Sequence, residues 1–282
     1  MQQKSASIAA NVIGIDTTKY STASDYTQDT YFNVLPQENI RYTLQSEGSK
    51  LDLYYTFVGG KLEKIHVLEV QGNLQSQKAL PSDILSSAKY FLTNYRSFTG
   101  NDFYESLSSM LPSEVANKNS TALFENVKMT VTSLEQSTTF KWTYALNGIE
   151  APDKCVALNY ENGFLSYFID NWDLYQIANT NFEVSSQKAI DIAMNSAKEF
   201  TWATVTSDNK TITGLKYTVT NAMEYSTVFA NSLFIDKTRG QDPLMLYPMR
   251  HIWVSFDKFY PCNVYGMNVY IWADTGEIAY MQ

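Results

Sequence analysis

Alternating apolar and polar residues recur in three places, each interrupted by a short turn that contains glycine. Side chains along a strand alternate between the two faces of a sheet, and glycine or asparagine supplies the positive φ that tight hairpin turns need. The pattern therefore predicts three β-hairpins. They run from Leu51 to Val70 around Gly59-Gly60, from Val156 to Ile169 around Asn162-Gly163, and from Met267 to Met281 around Asp274 to Glu277.

An amphipathic helical pattern stands ahead of the second and third hairpins. Apolar residues recur three and four positions apart after Pro81-Ser82 and again after Ser185, and Ser82 and Ser185 are of a type that caps helix N-termini. A weaker pattern covers about Ser5 to Ile15, and a short one covers Asp102 to Leu111. Further strands are predicted at Ile40 to Gln45, Lys128 to Ser133, Thr139 to Ala145, Leu215 to Thr220 and Arg250 to Phe256.

The order of helix, strands and closing hairpin occurs three times along the chain. This repeat predicts an α+β fold made of tandem modules, in each of which a helix packs on an antiparallel sheet. The predicted modules are residues 1–78, a helix plus a hairpin, and residues 79–178 and 179–282.

The amino-acid composition favours one cellular location and argues against some classes of partner. Of the 282 residues only 18% are charged, and Ser, Thr, Asn, Gln and Tyr take their place, as is typical of secreted or surface-exposed proteins. A net charge of -8 without a cluster of Lys and Arg argues against nucleic acid and anionic membranes as partners. The apolar runs are too short for membrane insertion. We expect an extracellular or cell-surface location, with any signal peptide and anchor absent from this chain.

Segments of the last module resemble a known family. Val184 to Ile190 resembles the V-S-x-x-x-A-I helix start of PepSY-type domains, and Val269 to Ile278 resembles their closing hairpin, V-x-V-D-A-x-T-G-E-I. Leu246 to Pro261 is similar to uncharacterised archaeal surface proteins, whereas residues 79–178 match more loosely and 1–78 only in the final hairpin. The resemblance implies an exported protein with a binding or inhibitory role, like the modules that accompany some secreted peptidases. It implies no catalytic residue and no cofactor.

Aromatic residues are denser in the last module than one face of a sheet could bury. Exposed Tyr and Trp rings suit a protein or peptide partner, because they bury a large area at low entropic cost. Packing of the rings inside the protein is the alternative. The candidates for a binding surface are Tyr247, Trp253, Phe259, Tyr260, Tyr265, Tyr270 and Trp272.

Three functions are consistent with these patterns. The first is a non-enzymatic extracytoplasmic protein that binds a peptide or protein, with a secreted peptidase as one such partner. The second is a structural surface protein that forms homo-oligomers by adding strands at hairpin edges. The third is an enzyme with an unrecognised site, which would need a cleft of ionisable groups with perturbed pKa values.

Two sequence features become relevant if the protein is exported, namely its two cysteines and its glycosylation sequons. Cys155 and Cys262 could form a disulfide between the second and third modules, or remain two separate thiols. Asn119 and Asn209 each begin a sequon in a polar, loop-like stretch, where a glycan could be accommodated.

Patterns that would indicate metal binding or covalent catalysis are weak. His66 and His251 lack a second ligand at metal-binding spacing, so each is interpreted as a strand-face histidine and no metal site is predicted. Ser185 and Lys188 match a nucleophile motif, but Ser185 is already explained as a helix cap. Two pairs of acids are interpreted as solvated loop residues rather than as cation ligands or paired catalytic carboxylates. They are Asp25 with Asp29 and Asp170 with Asp173.

Overall fold

The chain forms two compact units of α+β structure, as the sequence predicts for the fold class. Unit 1 contains Met1–Ala145 and Lys154–Asp173, and unit 2 contains Leu146–Asp153 and Leu174–Gln282. The protein is represented by a computed structural model, which describes residues 2–76, 81–114, 119–205, 209–232 and 238–282.

Three α-helices belong to unit 1 within the described residues. They are α1 (Gln2–Ile8), which continues as a π-helical turn over Ala9–Ile13, α2 (Ile84–Thr99) and α3 (Phe103–Ser109). The side chain of Asp83 caps α2 by accepting the Ser86 N–H at 2.8 Å, so the prediction of Ser82 as the cap is wrong. Gly100 ends α2 with a φ of 71°, the left-handed conformation usual for a residue that stops a helix.

Nine strands in the described part of the chain form the sheet of unit 1. They are β1 (Ser21–Tyr31), β2 (Leu35–Gln45), β3 (Ser49–Val58), β4 (Lys61–Gly72), β5 (Ser120–Phe124), β6 (Val127–Ser133), β7 (Ser137–Leu146), β8 (Ile149–Glu161, of which residues 154–161 lie in unit 1) and β9 (Phe164–Asp170). Their order is β1-β2-β3-β4-β9-β8-β7-β6-β5. The hairpins β3–β4 and β8–β9 confirm the first two predicted hairpins.

One hydrophobic core serves both the first and the second predicted module. Buried residues from α1, from the N-terminal strands and from α2 and β9 belong to the same cluster, in which Phe91 of α2 lies 4.8 Å from Phe168 of β9 between ring centroids. The direct pairing of β4 with β9, at Lys64 and Ile169, explains this, because it joins the two hairpins into one sheet. The predicted division into modules 1–78 and 79–178 does not separate two cores, and residues 77–80 at that boundary lie outside the described residues.

In the part of unit 2 that the structure describes there are one α-helix and a smaller sheet. Its elements are β10 (Gln176–Ile177), α4 (Ser186–Glu199), β11 (Trp202–Val205), β12 (Thr211–Leu215), β13 (Val219–Ala230), β14 (Met245–Tyr260), β15 (Val264–Trp272) and β16 (Ile278–Met281). Strands β13 to β16 are antiparallel neighbours, and β11 with β12 forms a separate two-stranded sheet. The hairpin β15–β16 confirms the third predicted hairpin.

Local signals at the start of unit 2 are partly right. Ser185 caps α4 as predicted, since its Oγ accepts the Lys188 N–H at 3.3 Å. The strand predicted at residues 215–220 is wrong, because β12 ends at Leu215 and β13 begins only at Val219.

Helix α4 covers one face of the β13–β16 sheet, and the opposite face is not covered by this helix. Small residues of the helix, among them Ala193, pack with Ile252 and Val254 of β14 and with Val269 and Ile271 of β15. Because side chains alternate along a strand, the neighbouring residues of β14 and β15 project from the opposite face. Within the described residues no helix combines the length and apolar character that crossing a membrane requires.

Candidate functional site

The face of the unit 2 sheet opposite α4 carries exposed aromatic rings. His251 and Trp253 of β14 project there, because they alternate with the inward-facing Ile252 and Val254. The strand register places His251 beside Tyr270 of β15. This face is therefore an open, ring-bearing surface on a regular sheet.

A row of four neighbouring rings crosses four strands of this face. The ring centroids of Tyr225 and His251 are 5.1 Å apart, those of His251 and Tyr270 are 4.5 Å apart, and those of Tyr270 and Tyr280 are 4.1 Å apart. The first ring is 72% exposed and the last is buried. Aromatic pairs across strands stabilise a sheet and hold each ring in a fixed place.

A shallow cleft of about 460 Å³ lies beside this row. We call it the aromatic cleft. It is lined by Met223, Tyr225, His251, Trp253, Tyr265 and Asn268.

The lining of the aromatic cleft combines apolar surface with a few polar groups, and none of its six residues is Asp, Glu, Lys or Arg. It offers ring faces together with hydroxyl, indole and amide donors. The Nε2 of His251 lies 2.6 Å from Oδ1 of Asn268, and because an amide oxygen can only accept, Nε2–H is the donor. Such a surface suits an uncharged ligand that offers apolar groups and hydrogen-bond acceptors.

The indole of Trp253 rests on a glycine of the next strand. A Cβ built on Gly266 would lie 2.2 Å from Cζ2 of Trp253 and 2.7 Å from the Val254 carbonyl oxygen, closer than atoms approach one another. Tyr265 flanks the same indole at 5.5 Å, and Phe259 lies 5.4 Å from Tyr265. Because position 266 has no side chain, the indole of Trp253 can occupy this place in the lining of the cleft.

Four of the seven aromatic residues singled out from the sequence lie on this exposed face or at its end: Trp253, Phe259, Tyr265 and Tyr270. Phe259 is 70% exposed and Tyr265 is 54% exposed. The dense aromatic segment of the sequence therefore includes the strands that carry these exposed rings.

The other three predicted residues do not line the aromatic cleft. Tyr247 and Trp272 pack around Arg239, whose guanidinium lies 4.4 Å and 5.2 Å from their ring centroids and forms an ion pair with Asp274 at 2.6 Å. Trp272 is consequently only 5% exposed, and the prediction that it lies on a binding surface is wrong. Tyr260 packs against Tyr217 at 5.1 Å on the α4 side of the sheet, so it is not part of the aromatic cleft either.

Of the six lining residues, only Trp253 and Tyr265 were singled out from the sequence as candidates for a binding surface. Met223 and Tyr225 were missed because β13 was placed too early, and Asn268 was missed because only aromatic residues were weighed. His251 was correctly interpreted as a strand-face residue, but its stacking was not foreseen. The alternation of His251, Trp253 and Ser255 along β14 is the signal that could have revealed it.

The remaining predicted sites fall in different places. Cys155 is buried in unit 1 and Cys262 is exposed in unit 2, and the disulfide between them stays a prediction. Asn119 and Asn209 are exposed, and glycosylation at each stays a prediction. His66 lies on β4 opposite Tyr54.

A second cluster of ionisable groups lies in unit 1, around Asp170 at the end of β9. The hydroxyl groups of Tyr95 and Tyr104 donate to its Oδ2, the first at 3.0 Å, and the Trp172 N–H donates to Oδ1 at 3.3 Å. Burial raises the pKa of Asp170, although these hydrogen bonds oppose the shift. The interpretation of Asp170 as a solvated loop acid is therefore wrong.

Other charged groups surround Asp170. Burial raises the pKa of Glu63, which lies next to Lys64, the β4 residue that pairs with Ile169. Burial lowers the pKa of Lys154. Asp173 is exposed and forms an ion pair with Lys61 at 3.3 Å. The described residues contain no group of three His, Cys, Asp or Glu side chains that could hold a metal ion. Because three donors already occupy the Asp170 carboxyl, we interpret it as an acceptor that fixes α2 and α3 to the sheet.

Replacing Asp170 by asparagine tests that interpretation through pH. A carboxyl whose pKa is raised on folding contributes stability below its unfolded pKa and loses it as the pH rises through the folded value. We therefore expect the wild type to gain stability relative to Asp170→Asn as the pH is lowered from 7 to 3, measured by urea unfolding at each pH. A difference that stays constant, or that changes in the opposite direction, would contradict the assigned burial of this carboxyl.

Comparison with known proteins gives little further guidance. No family model and no curated protein matches the sequence. Among solved structures, the C-terminal domain of YpeB from Bacillus megaterium is similar to this chain at 10% identity and a TM-score of 0.38, covering 100% of this chain and 96% of that one. Similarity at this level establishes neither a shared fold nor a shared function.

Proposed function

We propose that this chain is a non-enzymatic binding protein that takes a peptide or an extended protein segment in the aromatic cleft of unit 2. The observation that carries the proposal is the exposure of several large rings around one uncharged cleft on a regular sheet. Met223 is 54% exposed, Tyr225 72% and Tyr265 54%, although all three are side chains that a protein without a partner tends to bury.

The chemistry of the cleft favours polypeptide as the ligand. Tyrosine and tryptophan are over-represented at the centres of protein interfaces, where they bury large areas and use a single polar atom to fix orientation. The resemblance of residues 184–190 and 269–278 to PepSY-type domains, together with the low content of charged residues, supports a location outside the cytoplasm. A secreted peptidase is then one partner whose exposed segments could reach the cleft.

Trp253 is the residue whose loss should weaken binding most. We expect peptides selected from a displayed random library on the wild-type protein to bind Trp253→Ala about 30-fold more weakly, because central interface residues contribute about 2 kcal/mol or more. Binding would be measured by calorimetry with the synthetic selected peptides.

A matched control is an exposed aromatic residue far from the cleft in sequence. Phe124 on β5 of unit 1 is 56% exposed, and Phe124→Ala should bind the selected peptides as the wild type does. Selection of no binding peptide, or of peptides that bind Trp253→Ala unchanged, would refute the proposed function.

A further inference from the structure

Strand β1 is an unusual terminal strand. It is eleven residues long, it pairs along its whole length with β2 without a bulge, and ten of its residues are exposed. Among the strands that the structure describes, β1 pairs with β2 only, so it forms one end of the sheet of unit 1.

Strand β1 lacks most of the devices that protect the ends of sheets, and its only charged residues are Asp25 and Asp29. Natural proteins blunt such strands with lysine, proline, bulges or shortness, since an open edge offers backbone N–H and C=O groups to another strand. The strand Ser21–Tyr31 contains no Lys, Arg or Pro. By contrast, β5 at the other end of this sheet has 5 residues, and β16 at the end of the unit 2 sheet has 4.

Core packing does not explain why β1 is held in place. Residues of β2 such as Ile40 and Tyr42 are buried, whereas their partners on β1, Tyr26 and Ser24, are exposed. Fixing the backbone costs about 1–2 kcal/mol per residue, and β1 recovers little of this by burying apolar surface. Pairing on its second side would supply the missing contacts.

We propose that two copies of this chain associate through β1, in an antiparallel pair that joins the two sheets across a two-fold axis at Tyr26. An axis at this position gives complete overlap of the two strands, because Tyr26 is the central residue of Ser21–Tyr31. An interface of this kind uses the same surface on both copies and so closes as a dimer.

The strand is self-complementary in that register. Tyr26 lies opposite its own counterpart, Thr22 lies opposite Thr30, and Asp25 lies opposite Thr27, so no aspartate opposes another. Hydroxyl pairs and aromatic pairs across strands are favourable, and like charges directly opposite are not. Within each copy Asp25 lies opposite Arg41 in the register of β1 with β2.

Cysteine cross-linking tests the register. Opposed residues of an antiparallel pair have Cα atoms about 4.5–5.5 Å apart, within the range of a disulfide. We expect Tyr26→Cys, made with Cys262→Ser to remove the exposed thiol, to form a covalent dimer at least about tenfold faster than Thr27→Cys in the same background. The control fits because an axis at Tyr26 puts the two copies of residue 27 about 8 Å apart, which is too far to bridge. Equal rates, or no dimer from Tyr26→Cys, would overturn the proposal.

Charge introduction tests the association without a covalent bond. In the proposed register Ser24 of each copy faces Gln28 of the other, so Ser24→Lys with Gln28→Lys opposes lysines at two places. Sedimentation velocity over a wide concentration range should show a monomer–dimer equilibrium for the wild type and monomers for the double variant, with unchanged far-UV circular dichroism. Wild type that stays monomeric, or association that persists in the double variant, would overturn the proposal. Neither test depends on the aromatic cleft.

Discussion

Alanine at position 168 is expected to lower the free energy of unfolding of unit 1 by about 3–5 kcal/mol, the usual cost of emptying a buried phenylalanine site. Phe168 is 0% exposed, and its ring lies 4.8 Å from Phe91 and 4.7 Å from Tyr95. Those rings belong to α2, so the substitution removes the contact between the helix and the centre of the sheet. Denaturant unfolding with hydrogen exchange detected by mass spectrometry measures the loss and locates it.

The same experiment tests whether the N-terminal and middle parts of unit 1 unfold together. Phe57 is also 0% exposed and belongs to the same core, although it lies in the first predicted module. Phe57→Ala should therefore weaken protection over the same peptides as Phe168→Ala. Val269→Ala, in the separate core of unit 2, is the control and should leave those peptides unchanged. Loss confined to residues 1–76 in one variant and to residues 81–173 in the other would favour independent modules.

Local chemistry made parts of this fold predictable. Gly60 and Gly163 adopt φ values of 79° and 82° in the first two hairpin turns, which is why glycine marked those turns in the sequence. Ser185 caps α4 because a serine oxygen can accept the N–H three residues later. Signals of this kind depend only on residues close together in the chain.

The sequence pattern could not predict which strands pair when they are far apart in the chain. Nothing local to Lys64 or Ile169 indicates that the strands carrying them are neighbours, and this pairing is what merges two predicted modules into one core. Strand β1 was missed for a different reason. Its side chains are polar on both faces, so it lacks the apolar alternation by which a half-buried strand is recognised.

The sequence indicated that this face would carry aromatic rings, but it could not show which of the rings are exposed. Alternation along β14 puts Tyr247 and Trp253 on the same face of the sheet. Arg239 covers the end that carries Tyr247, whereas Trp253 stands over Gly266 at the open end. Arg239 lies outside the strands of this sheet, so the strand pattern could not separate the covered rings from the exposed ones.

Replacing Arg41 by methionine is the second substitution expected to have a large effect, because it leaves a buried carboxylate without its counter-ion. The side chain of Asp52 is 1% exposed, and its oxygens accept from Nε of Arg41 at 3.1 Å and from Oγ1 of Thr43 at 3.1 Å. Hydrogen bonding to Arg41 lowers the pKa of Asp52 below its usual value. We expect Arg41→Met to lower the free energy of unfolding at neutral pH, because removing one partner of the pair leaves the Asp52 carboxylate inside the protein without its counter-ion.

The sign of the pH dependence separates this mechanism from a simple loss of packing. In the wild type the lowered pKa of Asp52 contributes stability above the unfolded value of about 3.9, and that stability is lost as the pH falls. Without Arg41 the burial of Asp52 should raise its folded pKa, so the deficit of Arg41→Met should be greatest near pH 7 and shrink toward pH 3. Adding Asp52→Asn removes the buried charge and should recover part of the loss at pH 7. A deficit that is independent of pH and is not relieved by Asp52→Asn would instead assign the effect of Arg41 to the packing of its aliphatic stem.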